Sequence, residues 1–284
     1  DGFDDVIAVA RGTDSGGTTD QGAAYVLFGH ADAAATIDLT ALDGTNGFRI
    51  DGESAGDLAG YAVSGTGDVN GDGYADVILA APFADPDGVN AAGKTYVVFG
   101  GSAFNASITL DSLDGSNGLV LNGISSGDNA GFAVTGGADL NHDGFDDSIV
   151  AAPFTGNNSG DVYVVFGGIF NGAVTKMGNT SANNLNGTPG DDVIIGSLEH
   201  DRINGRGGAD VLKGGGGDDT LIYRPSAFRI EGDTGNDRLD FVGGNVFPDL
   251  TNLPNGTITG IERINIRGTL NNHLRLDITD VLDI

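Results

Sequence analysis

The sequence predicts an all-β chain: a partial β-propeller, then a parallel β-roll, then a β-rich C-terminal capping segment. Three observations carry this reading. Residues 1–168 repeat every 71 positions, and residues 178–240 carry glycine every nine. The chain also has 50 Gly and 40 acids, all but four of them Asp, which favours turns over helix surfaces.

The first period aligns Asp1-Gly2-Phe3-Asp4-Asp5 with Asp72-Gly73-Tyr74-Ala75-Asp76 and Asp143-Gly144-Phe145-Asp146-Asp147. Phe28-Gly29 returns as Phe99-Gly100 and, after a four-residue deletion, as Phe166-Gly167. Within a unit the apolar stretches are short, such as 119–121, 132–135, 148–151 and 162–166, and Gly, Asn, Asp or Pro bound each one. Four such strands per unit suit a propeller blade. Residues 1–168 hold a little over two units, so further blades are expected upstream.

The Asp-rich loops of these units have the oxygen spacing of a calcium loop. Asp68, Asn70, Asp72 and Asp76 stand at positions 1, 3, 5 and 9, with Gly73 at the sharp turn and the Tyr74 carbonyl at position 7. Asp139, Asn141, Asp143, the Phe145 carbonyl and Asp147 repeat the set, and Asp1 and Asp5 remain from a truncated third copy. A hard ion wanting six to eight oxygens suits these donors, whereas softer metals would prefer His or Cys. The bidentate Glu at position 12 is missing, so Asp76 and Asp147 are expected to close the shell. The competing reading is a set of metal-free Asx-turns.

After a linker at 169–177, the second period places Gly178, Gly187, Gly196, Gly205, Gly214 and Gly232 in one nine-residue register. Position six is Asn183, Asp192, Asp201, Asp210, Asp219 and Asp237, and position eight is always Leu or Ile. One acid and one aliphatic per nine residues predicts a parallel roll in which turns 18 residues apart stack, bringing Asp192 to Asp210, Asp201 to Asp219, and Asp219 to Asp237. Gly187, Gly190, Gly196, Gly205, Gly208, Gly214, Gly217, Gly232 and Gly235 would let turn carbonyls face a Ca²⁺ bridging each pair. Glu199 replaces a glycine, Phe228 replaces an Asp, and Asn183 is a weaker ligand, which leaves about three good sites. A flexible Gly/Asp-rich linker is the alternative, but the aliphatic positions stay in step. Segment 241–284 reads as alternating apolar strands with a short helix from Thr279, covering the open end of the roll.

On these residues the chain resembles two families. Residues 1–168 are similar to the FG-GAP blades of integrin α-subunits and secreted bacterial proteins, through Gly60-Tyr61, Gly131-Phe132, Ala81-Pro82 and Ala152-Pro153. Residues 178–240 resemble the hemolysin-type calcium-binding nonapeptides of RTX proteins, and 241–284 is similar to segments that follow such rolls in very large bacterial surface proteins. The resemblance implies type I export, with the chain unfolded in a calcium-poor cytoplasm and folded outside.

A net charge of −27 excludes nucleic acid as a natural partner. About five bound Ca²⁺ would offset about ten of those charges. No Cys is present, which excludes disulfides and thiol catalysis, and no apolar run approaches a membrane span. His30, His142, His200 and His273 are scattered, and no H-E-x-x-H, G-x-S-x-G or Walker sequence occurs. The expectation is therefore a non-enzymatic, calcium-binding module of an exported adhesin-like protein, with an extracellular protein or glycan as the ligand of the propeller face. Arg11, Lys94 and the loops at 12–21 and 84–93 are the first places to look for that ligand, set against a reading as solvated connections. The rivals are the accessory or secretion region of an extracellular hydrolase whose active site lies elsewhere, and a structural spacer in a surface fibre.

Overall fold

The computed structural model describes residues 3–14, 17, 19–30, 36–242, 249–251, 253–254, 256–267 and 274–276. Asp1 and the helix expected from Thr279 lie outside these residues. Among the described residues no helix is long and apolar enough to cross a membrane.

The first part is built of short strands: β1 (Val6–Ala10), β2 (Ala23–Leu27), β3 (Gly47–Asp51), β4 (Ala62–Gly67), β5 (Asp76–Ala81), β6 (Lys94–Val98), β7 (Ser107–Thr109), β8 (Gly118–Asn122), β9 (Ala133–Ala138), β10 (Asp147–Ala152) and β11 (Asp161–Val165), with one helical turn, α1 (Thr155–Asn158), before β11. They form three sheets in the orders β1-β2-β3-β7, β4-β5-β6-β8 and β9-β10-β11. Pairing is antiparallel except where β7 runs parallel to β3.

The middle sheet is buried on both faces, and the two-residue period of a strand shows how. Leu79, Tyr96 and Val98 turn toward the first sheet and pack with Val26, Phe48 and Ile50. Their neighbours Ile78, Val97 and Phe99 turn the other way, toward Val150. This explains why β5 reads as an unbroken apolar run after Asp76. Among the described residues the outer sheets have no such second partner: Val6 on β1 and Val162 on β11 are 57% and 66% exposed.

The second part is a roll. Its strands are β12 (Lys176–Met177), β13 (Asn184–Asn186), β14 (Val193–Ser197), β15 (Arg202–Asn204), β16 (Val211–Gly215), β17 (Thr220–Ile222), β18 (Arg229–Glu231), β19 (Arg238–Val242), β20 (Ile258–Thr259) and β21 (Arg263–Arg267). Even-numbered strands form one five-stranded parallel sheet and odd-numbered strands the other. Leu185, Ile203, Leu221 and Leu239 are in register along one sheet, and Ile194, Leu212 and Ile230 along the other. All of these side chains meet in one core between the sheets.

The nonapeptide register ends near residue 240, yet the parallel sheets take in one more coil. Ile230 pairs with Ile258 and Leu239 with Ile264. At the other end β12 already pairs with β14, so the stack begins inside the segment read as a linker.

Candidate metal sites

Stacking puts each roll Asp against the turn 18 residues before it. The Asp210 carboxylate accepts the Asp192 amide through Oδ1 at 3.0 Å, Asp219 accepts from Asp201 at 2.6 Å, and Asp237 accepts from Asp219 at 2.7 Å. Asp201 also accepts the Asn183 amide, at 2.6 Å. The column ends on Glu262, whose Oε2 accepts the Asp237 amide at 2.6 Å. Glu262 stands only two residues after Gly260, whereas Asp237 stands five after Gly232, so its extra methylene spans a shorter turn.

The second oxygen of each Asp divides the turns. Oδ2 of Asp192 accepts both the amide and the hydroxyl of Thr188, at 2.6 and 2.9 Å. Oδ2 of Asp201 is held in the same way by Ser197, at 2.8 and 3.1 Å. Oδ2 of Asp210, Asp219 and Asp237 is buried and has no hydrogen-bond partner among the described residues. A buried carboxylate oxygen left bare is costly, so these three turns are fitted to receive a cation. The close approach also explains the first glycine of each turn. A Cβ at Gly187, Gly196, Gly205, Gly214 or Gly232 would run into the Oδ2 of that turn's own Asp.

Electrostatics separate the three bare turns from that of Asp192. Burial, together with the charges of Asp237 and Asp201, pushes Asp219 up to about 8. Burial and Glu262 push Asp237 up to about 6, and burial raises Asp210. Burial also acts on Asp192, but hydrogen bonds from Thr188 and Thr175 outweigh it and leave its carboxyl below the ordinary value. Among the described residues no three Asp, Glu or His side chains gather into a cluster able to hold a metal alone. An ion in the roll therefore needs main-chain carbonyls for much of its shell, which suits the glycines at Gly190, Gly208, Gly217 and Gly235.

The blade loops join β4 to β5 and β9 to β10, and they share one hydrogen-bond pattern. Asp68 accepts the amides of Asp72 and Gly73 at 2.9 and 2.8 Å, and Asp139 accepts those of Asp143 and Gly144 at 3.2 and 2.7 Å. Asn70 and Asn141 accept the amides of Asp72 and Asp143 through Oδ1, and their Nδ2 groups donate to the same two carboxylates. The amides of Tyr74 and Phe145 donate to those carboxylates in turn. Asp76 clamps the amides of Val69 and Gly100, and Asp147 those of Leu140 and Gly167. Asp5 holds Gly29 at 2.8 Å as the surviving third copy of that clamp. This accounts for the Phe-Gly pairs: position nine of the Asp-rich loop anchors the glycine amide at the end of the strand two positions on. Burial pushes Asp76 up to about 8 even though those amides oppose it. The all-oxygen donor set has the chemistry of a calcium loop, and hydrogen bonds organise it into Asx-turns.

Sequence reasoning missed the cation that meets the first loop. Lys213, which faces outward from β16, places Nζ 2.7 Å from Asp68 Oδ2 and 3.4 Å from Glu231 Oε2, and its side chain is only 3% exposed. Around it Arg229 donates to the Gly73 carbonyl at 3.1 Å, and Phe228 packs on Tyr74 with ring centres 5.1 Å apart. The roll thus seats one sheet on the blade loops, and the Phe that replaces a ligand Asp is part of that seat. Position nine of GRGGADVLK was the available signal, a lone Lys in an acidic segment. Elsewhere, Arg11 lies over the Tyr61 ring at 5.3 Å, Lys94 pairs with Glu53 at 2.8 Å, and His200 accepts the Asp218 amide at 2.6 Å.

Comparison with known proteins agrees with this geometry. An FG-GAP repeat matches residues 59–98, and the four-copy RTX calcium-binding nonapeptide repeat matches residues 177–211 and 196–223. Both are non-catalytic repeat families, and the nonapeptides mark the roll as calcium-binding. Integrin alpha-PS5 of Drosophila melanogaster is 35% identical over 116 residues, which is 41% of this chain and 10% of that protein. Integrin alpha-5 of Xenopus laevis is 32% identical over 145 residues, 49% of this chain and 13% of that protein. Phosphatidylinositol-glycan-specific phospholipase D of Bos taurus is 35% identical over 112 residues, 38% of this chain and 13% of that protein. The chain therefore spans about a tenth of the length of these curated relatives.

Proposed function

We propose that this chain is a calcium-stabilised, non-catalytic binding module of an exported, adhesin-like surface protein. The blades at 1–168 would offer the binding face, and the roll from 178 would serve as a folding element that calcium closes outside the cell. The observation that carries this reading is the set of bare, buried oxygens on Asp210, Asp219 and Asp237. Ligands that exist only in the folded roll turn ion-binding free energy into folding free energy. In the blade loops the ion-holding groups would be Asp68 through Oδ1, because Gly73 and Lys213 already fill its Oδ2, with Asn70, Asp72, the Tyr74 carbonyl and Asp76, and Asp139, Asn141, Asp143, the Phe145 carbonyl and Asp147. When bound, calcium supplies positive charge that keeps crowded carboxylates ionised. The integrin α-chains among the relatives support a binding role for the blades. Type I secretion is part of the same proposal.

The test is a thermal melt followed by circular dichroism in millimolar calcium and in chelator. A calcium-dependent rise in the roll transition is expected, and identical melts reject the folding role.

A second reading has its own observation, the match to a phospholipase D. In that reading the chain is the accessory region of an extracellular hydrolase with its active site elsewhere. The full chain should then be inert against a hydrolase panel yet raise the turnover of a catalytic domain fused to it. Turnover by the chain alone would overturn both readings.

A further inference from the structure

Resting on the calcium reading of the roll, we infer that the residue after the first glycine of each nonapeptide decides whether that turn takes an ion. The turns of Asp210, Asp219 and Asp237 hold calcium, and those of Asp192 and Asp201 are closed by the chain itself.

Position two is Thr188 and Ser197 in the closed turns, and Arg206, Gly215 and Asp233 in the open ones. A Thr or Ser there brings two donors, an amide and a hydroxyl, to the same carboxylate oxygen. Two donors fill the two lone-pair directions of that oxygen, so an ion would have to displace both. In the open turns position two lies in the left-handed region, with φ of 74° at Arg206, 85° at Gly215 and 64° at Asp233. Position four lies there as well, with φ of 107°, 106° and 149° at Gly208, Gly217 and Gly235. Thr188, Gly190, Ser197 and Glu199 are not among the positive-φ residues. The two turn shapes therefore coincide with the two states of the Asp oxygen, bare or doubly bonded.

Burial argues the same way. Asp210, Asp219 and Asp237 are at most 1% exposed, so water cannot stand in for a missing partner. The stack would then have a calcium-independent start at Asp192 and Asp201, a calcium-dependent middle, and a closing carboxylate from Glu262 on the amide of Asp237.

Crystals of the full chain grown in calcium and soaked in terbium would test this by anomalous scattering. Peaks are expected beside Oδ2 of Asp210, Asp219 and Asp237, with none beside Oδ2 of Asp192 or Asp201. A peak at Asp192 or Asp201, or a missing peak at any of the other three, overturns the inference alone. No peak anywhere in the roll overturns the calcium reading as well. In solution, equilibrium dialysis of Asp210→Asn should lose one ion per chain and Asp192→Asn none, and equal losses would contradict the division.

Discussion

At the scale of single residues, charge placement governs the behaviour. Lys213 is buried between Asp68 and Glu231; burial alone would lower its pKa, but those carboxylates overcome it and hold the lysine above its usual range. Lys213→Ala would leave the buried Asp68 without its cation, while Glu231 keeps Arg229 at 2.5 Å, and removing one partner of a buried pair costs about 3–5 kcal/mol. Urea denaturation should register that loss, and a change under about 1 kcal/mol would mean that Asp68 finds another partner. Asp57 offers a pH signature away from any ligand set. Burial, reinforced by Glu53, pushes it up to about 6 from an ordinary 3.8. The native chain thus binds that proton more tightly than the unfolded one, so the stabilisation is present below about pH 4 and is lost as pH rises through about 6. Asp57→Asn should leave Tm near wild type at pH 4 and raise it by about 2–4 °C at pH 7.5. A Tm gap that does not vary with pH would contradict the shift. Neither residue was legible in the repeats, because Lys213 acts across an interface that has no period and Asp57 depends on packing.

At the scale of elements, the loops and rungs are modular and their failures should be local. Asp147 serves two backbone donors, Leu140 and Gly167, so Asp147→Ala leaves two partly exposed amides without their carboxylate partner, at about 0.5–1.5 kcal/mol each. Hydrogen exchange should speed up at those two amides and leave the equivalent Val69 and Gly100 unchanged. Leu221 is fully buried midway along one roll sheet, and Leu221→Ala should cost about 2–5 kcal/mol in the roll transition. Most elements could be read in advance, since both periods mark where strands end: Gly, Asp and Asn stop each apolar stretch. The strands β20 and β21 were expected as well, but not their place as one more coil of the parallel sheets. Longer connections break the nine-residue count there, although Ile258 and Ile264 keep the strand register. The division of the roll turns was written at position two, in Thr188 and Ser197, but it acquires meaning only once the hydroxyls are seen to reach the Asp oxygens.

At the scale of the whole molecule, the chain carries −27 and stacks columns of acids along the turns of the roll. Such a column favours the compact state only when cations are present to neutralise it. The blades differ, because main-chain amides meet the carboxylates of their loops, whereas Oδ2 of Asp210, Asp219 and Asp237 in the roll is bare. Calcium removal should therefore act unevenly along one polypeptide. Hydrogen exchange by mass spectrometry, in calcium and in chelator, reads this most directly. Chelator should strip protection from amides between 205 and 240 while those of β5 and β6 stay protected. Equal protection of the 205–240 amides in both buffers would contradict a roll held together by calcium.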